Sequence, residues 1–451
     1  MRPFFVTVLS GVLLSCCAAT HAAGTIRIAT FSVDASPPIG SPLAYDPTKE
    51  VTLPLSCRGV VLIGHGQPIV LCAVDWIGIS NDSQKVFRES LAAAAGTTPN
   101  RVAVHALHQH DAPRSDFSTD RLLAKYGINK QKFNTEFERG VIQRAATAIR
   151  RAITVAKPVT HLGLGKARIE KVASNRRILG PDGNVKYTRW TATRDPKIRA
   201  MPVGTIDPYV RMISFWNGNR PLAVLTYYAT HPQSYYRTGG ANPDFPGMAR
   251  NQRQKATGVI HIHFNGAGGN IGAGKWNDGS HKNRQILANR VAAGMRMAWN
   301  TTVRRPISAD DLDWETIAVA LPPAPHLNEK TLLARLQDTK ASVSARFAAA
   351  DDLIWLRRCR AGAKVDISCL HLGTARVLHM PGELFVEYQL AAQKMRPDLF
   401  VAMAAYGEYA PGYIGTKIAY GQGGYETSPR ASKVAPSVEQ VLTNAVARLL
   451  K

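Results

Sequence analysis

The chain has 451 residues, 45% of them hydrophobic, and carries 56 Lys plus Arg against 32 Asp plus Glu, a formal charge of +24. Such a composition can bury a large core, and the charge predicts attraction to anionic surfaces. The basic residues are scattered singly or in short pairs such as Arg176-Arg177, Arg304-Arg305 and Arg357-Arg358, which excludes nucleic acid as the expected partner and favours anionic membrane lipid or envelope polymers.

In chain order, Arg2, the apolar stretch 4–14 and the small residues Ala18, Ala19, Ala22 and Ala23 read as a secretory signal peptide over residues 1–23. The mature chain, 24–451, is then periplasmic or secreted. Leu13-Leu14-Ser15-Cys16 weakly resembles a lipoprotein box, a second way of reaching the cell envelope. No later segment is long and apolar enough to span a membrane. Removal of the leader leaves Cys57, Cys72, Cys359 and Cys369, an even set for an oxidising compartment. Cys359 and Cys369 flank a polar segment and are expected to pair, whereas Cys72 sits in an apolar run that suits a buried thiol.

Strand-like runs rich in Val, Ile and Leu stand at 60–63, 69–74, 102–107, 210–216, 222–228, 259–264 and 375–380. Helical periodicity covers 81–95, 132–156, 281–299, 328–348, 385–395 and 437–450. Strands and helices interleave throughout, so the fold class is α/β, with mixed sheets, flanking helices and one mature domain. The Pro-rich stretch 301–328 is the weakest seam and reads as an elaborated connection.

Chemistry is concentrated where strands end. His105-Ala106-Leu107-His108-Gln109-His110-Asp111 follows the run 101–104. Were these residues still extended, His108 and His110 would share a face with Cα atoms about 6.5–7 Å apart. One imidazole could then ligate a metal while the other shuttles a proton. His231 follows the strand 222–228; alone it serves equally as a structural residue. Glu383 lies between a strand and a helix, where a carboxylate can simply complement the helix dipole. Five tyrosines, Tyr406, Tyr409, Tyr413, Tyr420 and Tyr425, stand in a glycine-rich stretch that suits a polar-rimmed pocket. The segment 265–275 satisfies G-x-x-x-x-G-K through Gly269, Gly274 and Lys275, yet Trp276 follows where a phosphate loop requires Ser or Thr. Close backbone approach in a site wall accounts better for these glycines.

The order of the motifs carries more than any one of them. His108-Gln109-His110-Asp111-Ala112-Pro113, Asn175-Arg176-Arg177, Thr230-His231-Pro232, the glycine segment from Asn265, Pro381-Gly382-Glu383 and the residues from Tyr409 to Tyr420 together resemble the catalytic domain of the neutral/alkaline ceramidase family. The resemblance runs nearly the whole mature length and includes the opening Val33-Asp34-Ala35-Ser36-Pro37-Pro38-Ile39-Gly40. It implies an exported hydrolase with one zinc ion held by His108, His231, Glu383 and Tyr413. It also implies His110 beside the water that the metal activates, and Arg176 and Tyr420 facing the scissile carbonyl. Two departures stand out. The family's glycine segment carries a serine where this chain has Gly272, and ceramidases proper continue into an immunoglobulin-like domain that has no counterpart in this sequence.

The resemblance therefore implies zinc-dependent cleavage of an amide in a small N-acyl or lipid substrate, with Arg176 and Tyr420 stabilising the oxyanion and His110 passing a proton to the leaving amine. Two alternatives stand beside it: metal-dependent hydrolysis of an ester or another N-acyl compound, and a catalytically silent envelope protein that binds lipid or glycan.

Overall fold

The computed structural model describes residues 24–128 and 130–451, together with Met1 and Phe4. The leader read at residues 1–23, Cys16 and Cys17 included, falls outside the described residues apart from Met1 and Phe4. Among the described residues no helix is long and apolar enough to cross a membrane.

Three mixed sheets form the framework. The first has the order Val102–Ala106, Ile69–Val74, Ser56–Ile63, Ile26–Asp34, Lys157–Val159. The second runs Ile260–Asn265, Arg220–Tyr228, Tyr209–Asn217, His161–Arg168, Val303–Pro306. The third runs Leu312–Val319, Val365–Leu372, Ala375–His379, Phe400–Ala404. Their inner faces meet in a shared core that includes Ile28, Val60, Ile213, Leu225, Phe264, Leu370 and Val377. The central strands are buried on both faces because helices cover the outer ones, which is why they read as unbroken Val, Ile and Leu runs rather than as alternation. Phe87, Leu91, Val141 and Ile149 from the helices Asn81–Ala95 and Thr135–Ile153 pack on the first sheet. Phe245, Leu287 and Val291 from Asp244–Thr257 and His281–Asn300 back the second. Leu353, Leu356, Leu442 and Val446 from Val343–Arg360 and Val438–Leu449 back the third.

Each sheet contains one parallel pair, and each pair is closed by a helical crossover. Ile69–Val74 and Val102–Ala106 are joined through Asn81–Ala95, Arg220–Tyr228 and Ile260–Asn265 through Asp244–Thr257, and Ala375–His379 and Phe400–Ala404 through Val386–Met395. Parallel strands in such units present their carboxyl ends on one side, where α/β proteins bind ligands. The three carboxyl ends are tied directly together: Ala106 N–H donates to Tyr406 O at 3.0 Å, Ala405 N–H to Asn265 O at 2.9 Å, and Leu107 N–H to Val74 O at 2.7 Å. His108, His231 and Glu383 all follow strands of these units.

The expected strands are present with small shifts at their ends, and the helix over 81–95 is found at Asn81–Ala95. Three expectations are corrected. The single helix over 328–348 is two, Glu329–Gln337 and Val343–Arg360. Asp338 turns its carboxylate onto Lys340 N–H at 2.9 Å, and Ser342 caps the second helix through Ala345 N–H at 3.2 Å, so side chains compete for the backbone that would continue the first. His108 and His110 do not share the face of a strand, because the strand ends at Ala106 and His108 takes a left-handed φ of 71°. Cys359 and Cys369 are free thiols: Cys359 closes a helix, while Cys369 is fully buried in its strand with its thiol toward Leu370 O at 3.7 Å. The stretch 301–328 supplies the edge strand Val303–Pro306 to the second sheet and Leu312–Val319 to the third.

Candidate metal centre

His108 is placed by its backbone. Its N–H donates to Trp76 O at 2.8 Å, and the left-handed turn swings the ring inward; a non-glycine residue held in that region costs conformational energy that the surrounding contacts must offset. Ring Nδ1 lies 2.6 Å from Ile77 O. On the second sheet His231 Nδ1 lies 2.9 Å from Gly268 O. A carbonyl only accepts, so both Nδ1 atoms carry the protons and both Nε2 atoms are left with lone pairs.

Those two Nε2 atoms are 3.0 Å apart. Glu383 Oε2 lies 3.2 Å from the first and 3.1 Å from the second, and Tyr413 Oη is 3.3 Å from His231 Nε2. All four residues are buried. Two lone pairs and a carboxylate oxygen thus meet within 3.2 Å of one another with Tyr413 Oη beside His231, and Glu383 Oε2 has no hydrogen-bond donor. One added proton can bridge one pair of these atoms, whereas a cation can bond all four. Zinc at about 2.0–2.2 Å from each of four N and O ligands separates them by about 3.3 Å. The residues present therefore fit a tetrahedral cation.

The electrostatics agree with this geometry. Burial dominates at His231 and lowers its imidazole to about 4, so it is neutral and available as a ligand. At Glu383 burial alone would raise the carboxyl, whereas positive charge at His108 and His231 would hold it well below its ordinary range, so the ionised carboxylate goes with a cation at this point. Burial pushes the Tyr413 hydroxyl well up, opposed by the Arg176 guanidinium, whose Nη1 donates to Tyr413 Oη at 2.9 Å. Arg176 is itself buried, and Glu426 stands 3.2 Å from its Nε.

His110 stands at the edge of this group. One nitrogen from each of His108, His110 and His231 lies within 4.8 Å of the others, which on its own would suggest a three-histidine site. Glu383 is closer to both His108 and His231, and His110 is engaged on its far side: Gln233 Nε2 donates to its Nδ1 at 3.1 Å, and Tyr45 Oη is 3.2 Å from the same atom. That leaves a proton on Nε2, which is buried and unpartnered. Burial, with His108 and His231 adding to it, holds His110 well below its usual pKa.

Tyr420 lies apart from these residues. It sits in the short helix Lys417–Gly421 with its hydroxyl on Ser432 Oγ at 2.8 Å. Of the two, Tyr425 is nearer the centre, its ring 5.7 Å from Tyr413 and 5.9 Å from the Arg176 guanidinium. Sequence reasoning gave no role to Tyr45, Gln233, Tyr236, Tyr406 or Tyr409. Tyr406 stacks on His108 at 4.6 Å, Tyr409 donates to Glu383 Oε1 at 2.8 Å, and Tyr236 packs on both Tyr45 and His110. Of these five only Tyr406 and Tyr409 carry a signal in the sequence, as members of the glycine-rich tyrosine stretch. Asp111 secures the covering loop by accepting from Arg237 N–H at 2.9 Å, Thr238 Oγ1 at 3.1 Å and Arg284 Nη2 at 3.1 Å.

The glycine segment forms the floor. A Cβ on Gly269 would fall 2.2 Å from Glu383 O, and one on Gly268 2.8 Å from Thr230 C, so the chains carrying two ligands approach closely only over glycine. A Cβ on Gly272 would meet Arg176 Cγ at 3.6 Å and His231 Cβ at 3.9 Å, ordinary contact distances. A surface groove of about 670 Å³, lined by Lys85, Arg88, Arg121 and Arg357, reaches none of the ligand candidates.

No protein-family model matches the chain, and no curated protein is significantly similar to it in sequence. Solved structures do match. Neutral ceramidase from Pseudomonas aeruginosa aligns with a TM-score of 0.67 at 16% identity, over 94% of this chain and 74% of that one. A ceramidase complexed with C2 aligns with a TM-score of 0.67 at 16% identity, over 94% and 75%. At this identity the likeness is one of architecture: the chain has the α/β fold of neutral ceramidase.

Proposed function

We propose that the protein is an exported zinc-dependent hydrolase that cleaves the amide bond of an N-acyl substrate, with His108, His231, Glu383 and Tyr413 as the metal ligands. The observation that carries the reading is the convergence of two imidazole lone pairs and an undonated carboxylate oxygen within 3.2 Å of one another in a buried site. The fold shared with ceramidases supports the reaction class. A zinc ion bound there supplies Lewis acidity, polarising a carbonyl and acidifying water.

The chain's own groups divide the remaining work. Arg176, kept charged by Tyr413, Glu426 and Glu383 against the cost of burial, stabilises negative charge developing on the carbonyl oxygen. The role expected of Tyr420 falls to Tyr425, which adjoins Arg176. His110, its Nε2–H oriented by Gln233, offers a hydrogen bond toward the leaving nitrogen, and the proton that nitrogen gains comes from the attacking water. Water adds oxygen to the acyl carbon, the C–N bond breaks, and the nitrogen departs as an amine after gaining a proton. Hydrolysis of an ester or another N-acyl compound by the same centre is a second reading, favoured by the space that Gly272 leaves beside Arg176.

The test is His108→Ala and His231→Ala, each assayed for zinc content and for hydrolysis of acyl-amide substrates. Both properties should be lost together. Retention of both would refute the scheme.

A further inference from the structure

A second feature adjoins the metal centre. A cavity of about 150 Å³ shares Glu383, Tyr409 and Tyr413 with it and extends between Phe133, Phe347, Arg114 and Arg430. It is small beside the roughly 300–1,000 Å³ of pockets that enclose drug-sized ligands, and a long acyl chain exceeds it. It is also unevenly charged. Lys433, which lines it, is neutralised by Asp351 at 2.5 Å and Asp352 at 3.6 Å. Asp116 is engaged by Thr119 and Asn81.

The two arginines are different. Among the described residues neither Arg114 nor Arg430 has a carboxylate partner. Arg114 donates through Nη2 to Ala44 O at 3.3 Å, while its Nε is buried without an acceptor. Its guanidinium carbon lies over the Phe347 ring, 4.9 Å from the centroid. Arg430 is exposed at the cavity's edge. Two unpaired guanidinium groups at a small cavity form a receptor for an oxyanion, which guanidinium binds through paired, charge-assisted hydrogen bonds.

We propose that the cavity lined by Arg114 and Arg430 binds a carboxylate or phosphate borne by a small substrate, so that the chain acts on compact anionic N-acyl compounds rather than on long-chain neutral lipids. The anion site stands on the cavity itself, and its use in catalysis rests on the hydrolase reading above.

Calorimetric titration of the zinc-loaded full chain tests it with four probes: N-acetylglycine, N-acetylglycinamide, N-acetylethanolamine phosphate and N-acetylethanolamine. At least one anionic probe should bind roughly tenfold to a hundredfold more tightly than its neutral counterpart, the worth of a hydrogen bond to a charged group. The carboxylate and phosphate arms identify which source is used. Arg114→Gln and Arg430→Gln should each reduce the preference, and the double variant should bring it within about threefold. Arg430 is exposed, so its single variant reports on the site even if Arg114→Gln unfolds. Equal binding of charged and neutral probes, no binding of any probe, or an unchanged preference in Arg430→Gln and the double variant would overturn the proposal. Failure of the hydrolase reading looks different: the anion preference and its loss would persist without cleavage of the bound amide.

Discussion

Alanine substitution along the glycine segment gives opposite outcomes three residues apart. At Gly272 the new Cβ meets Arg176 Cγ at 3.6 Å, Arg176 Cδ at 3.7 Å and His231 Cβ at 3.9 Å, so it fills space without displacing anything. The backbone there is an ordinary strand pair with Ser174. Burying one methyl group contributes about 0.8 kcal/mol, and the restricted unfolded chain adds about 0.4–1 kcal/mol. For 451 residues the unfolding entropy is about 0.9 kcal/mol per degree, so Gly272→Ala should raise Tm by about 1–2 °C. Gly272→Ser should do the same and bring a hydroxyl toward the Arg176 side chain. At Gly269 the Cβ falls 2.2 Å from Glu383 O and 3.0 Å from Leu384 O, both backbone atoms that cannot swing away. Overpacking of that kind costs about 1–3 kcal/mol or more, and relief requires moving Glu383. Gly269→Ala should therefore lower Tm by about 1–3 °C and weaken zinc retention. Differential scanning calorimetry of the three variants with zinc analysis decides it. A fall of more than 2 °C for Gly272→Ala, or a neutral Gly269→Ala, would refute this account of the floor.

Burial raises the Glu138 carboxyl to about 8, against hydrogen bonds from Ser115 and Asn134. With its folded pKa above the unfolded value near 4.5, Glu138 favours folding fully below pH 4.5, and that contribution is lost as pH rises to about 8. Glu138→Gln should flatten this decline and gain a few kcal/mol at pH 8 relative to wild type, measured by urea unfolding at pH 5 and pH 8; an unchanged slope would count against it. Tyr425→Phe should lower kcat/KM while Tyr420→Phe, which loses only the bond to Ser432, should leave it within about twofold; steady-state kinetics with the reverse order would return the role to Tyr420. Gln233→Leu removes the donor to His110 Nδ1, worth about 0.5–1.5 kcal/mol, so kcat/KM should fall roughly twofold to tenfold with zinc content intact. Loss of zinc in that variant would instead make His110 a ligand.

Much of the candidate site was legible because its residues follow strands. The apolar runs before His108, His231 and Glu383 are long enough to read as buried strands, and a polar residue just beyond such a run enters a cleft in an α/β fold. The division of labour between His108 and His110 was legible only through resemblance. A strand face predicted their proximity for the wrong reason, since a left-handed turn at His108, invisible to period-two reasoning, brings the rings together. Spacing in a glycine-rich loop does not say which ring stands beside Tyr413; in the structure that ring is Tyr425, while the Tyr420 hydroxyl meets Ser432. Tyr45 and Gln233 come from distant segments with no motif, and only tertiary packing places them on His110. The cysteine pair failed for a related reason, because separation in sequence says nothing of burial: Cys369 faces the core while Cys359 ends a helix.

Metal content tests the central claim most directly. Elemental analysis of the purified full chain should find one zinc per molecule, with that zinc absent from His231→Ala and strongly reduced in Glu383→Gln. A folded wild type that retains no zinc when supplied with it, or variants that keep a full equivalent, would contradict the assignment of His108, His231, Glu383 and Tyr413 as a metal centre.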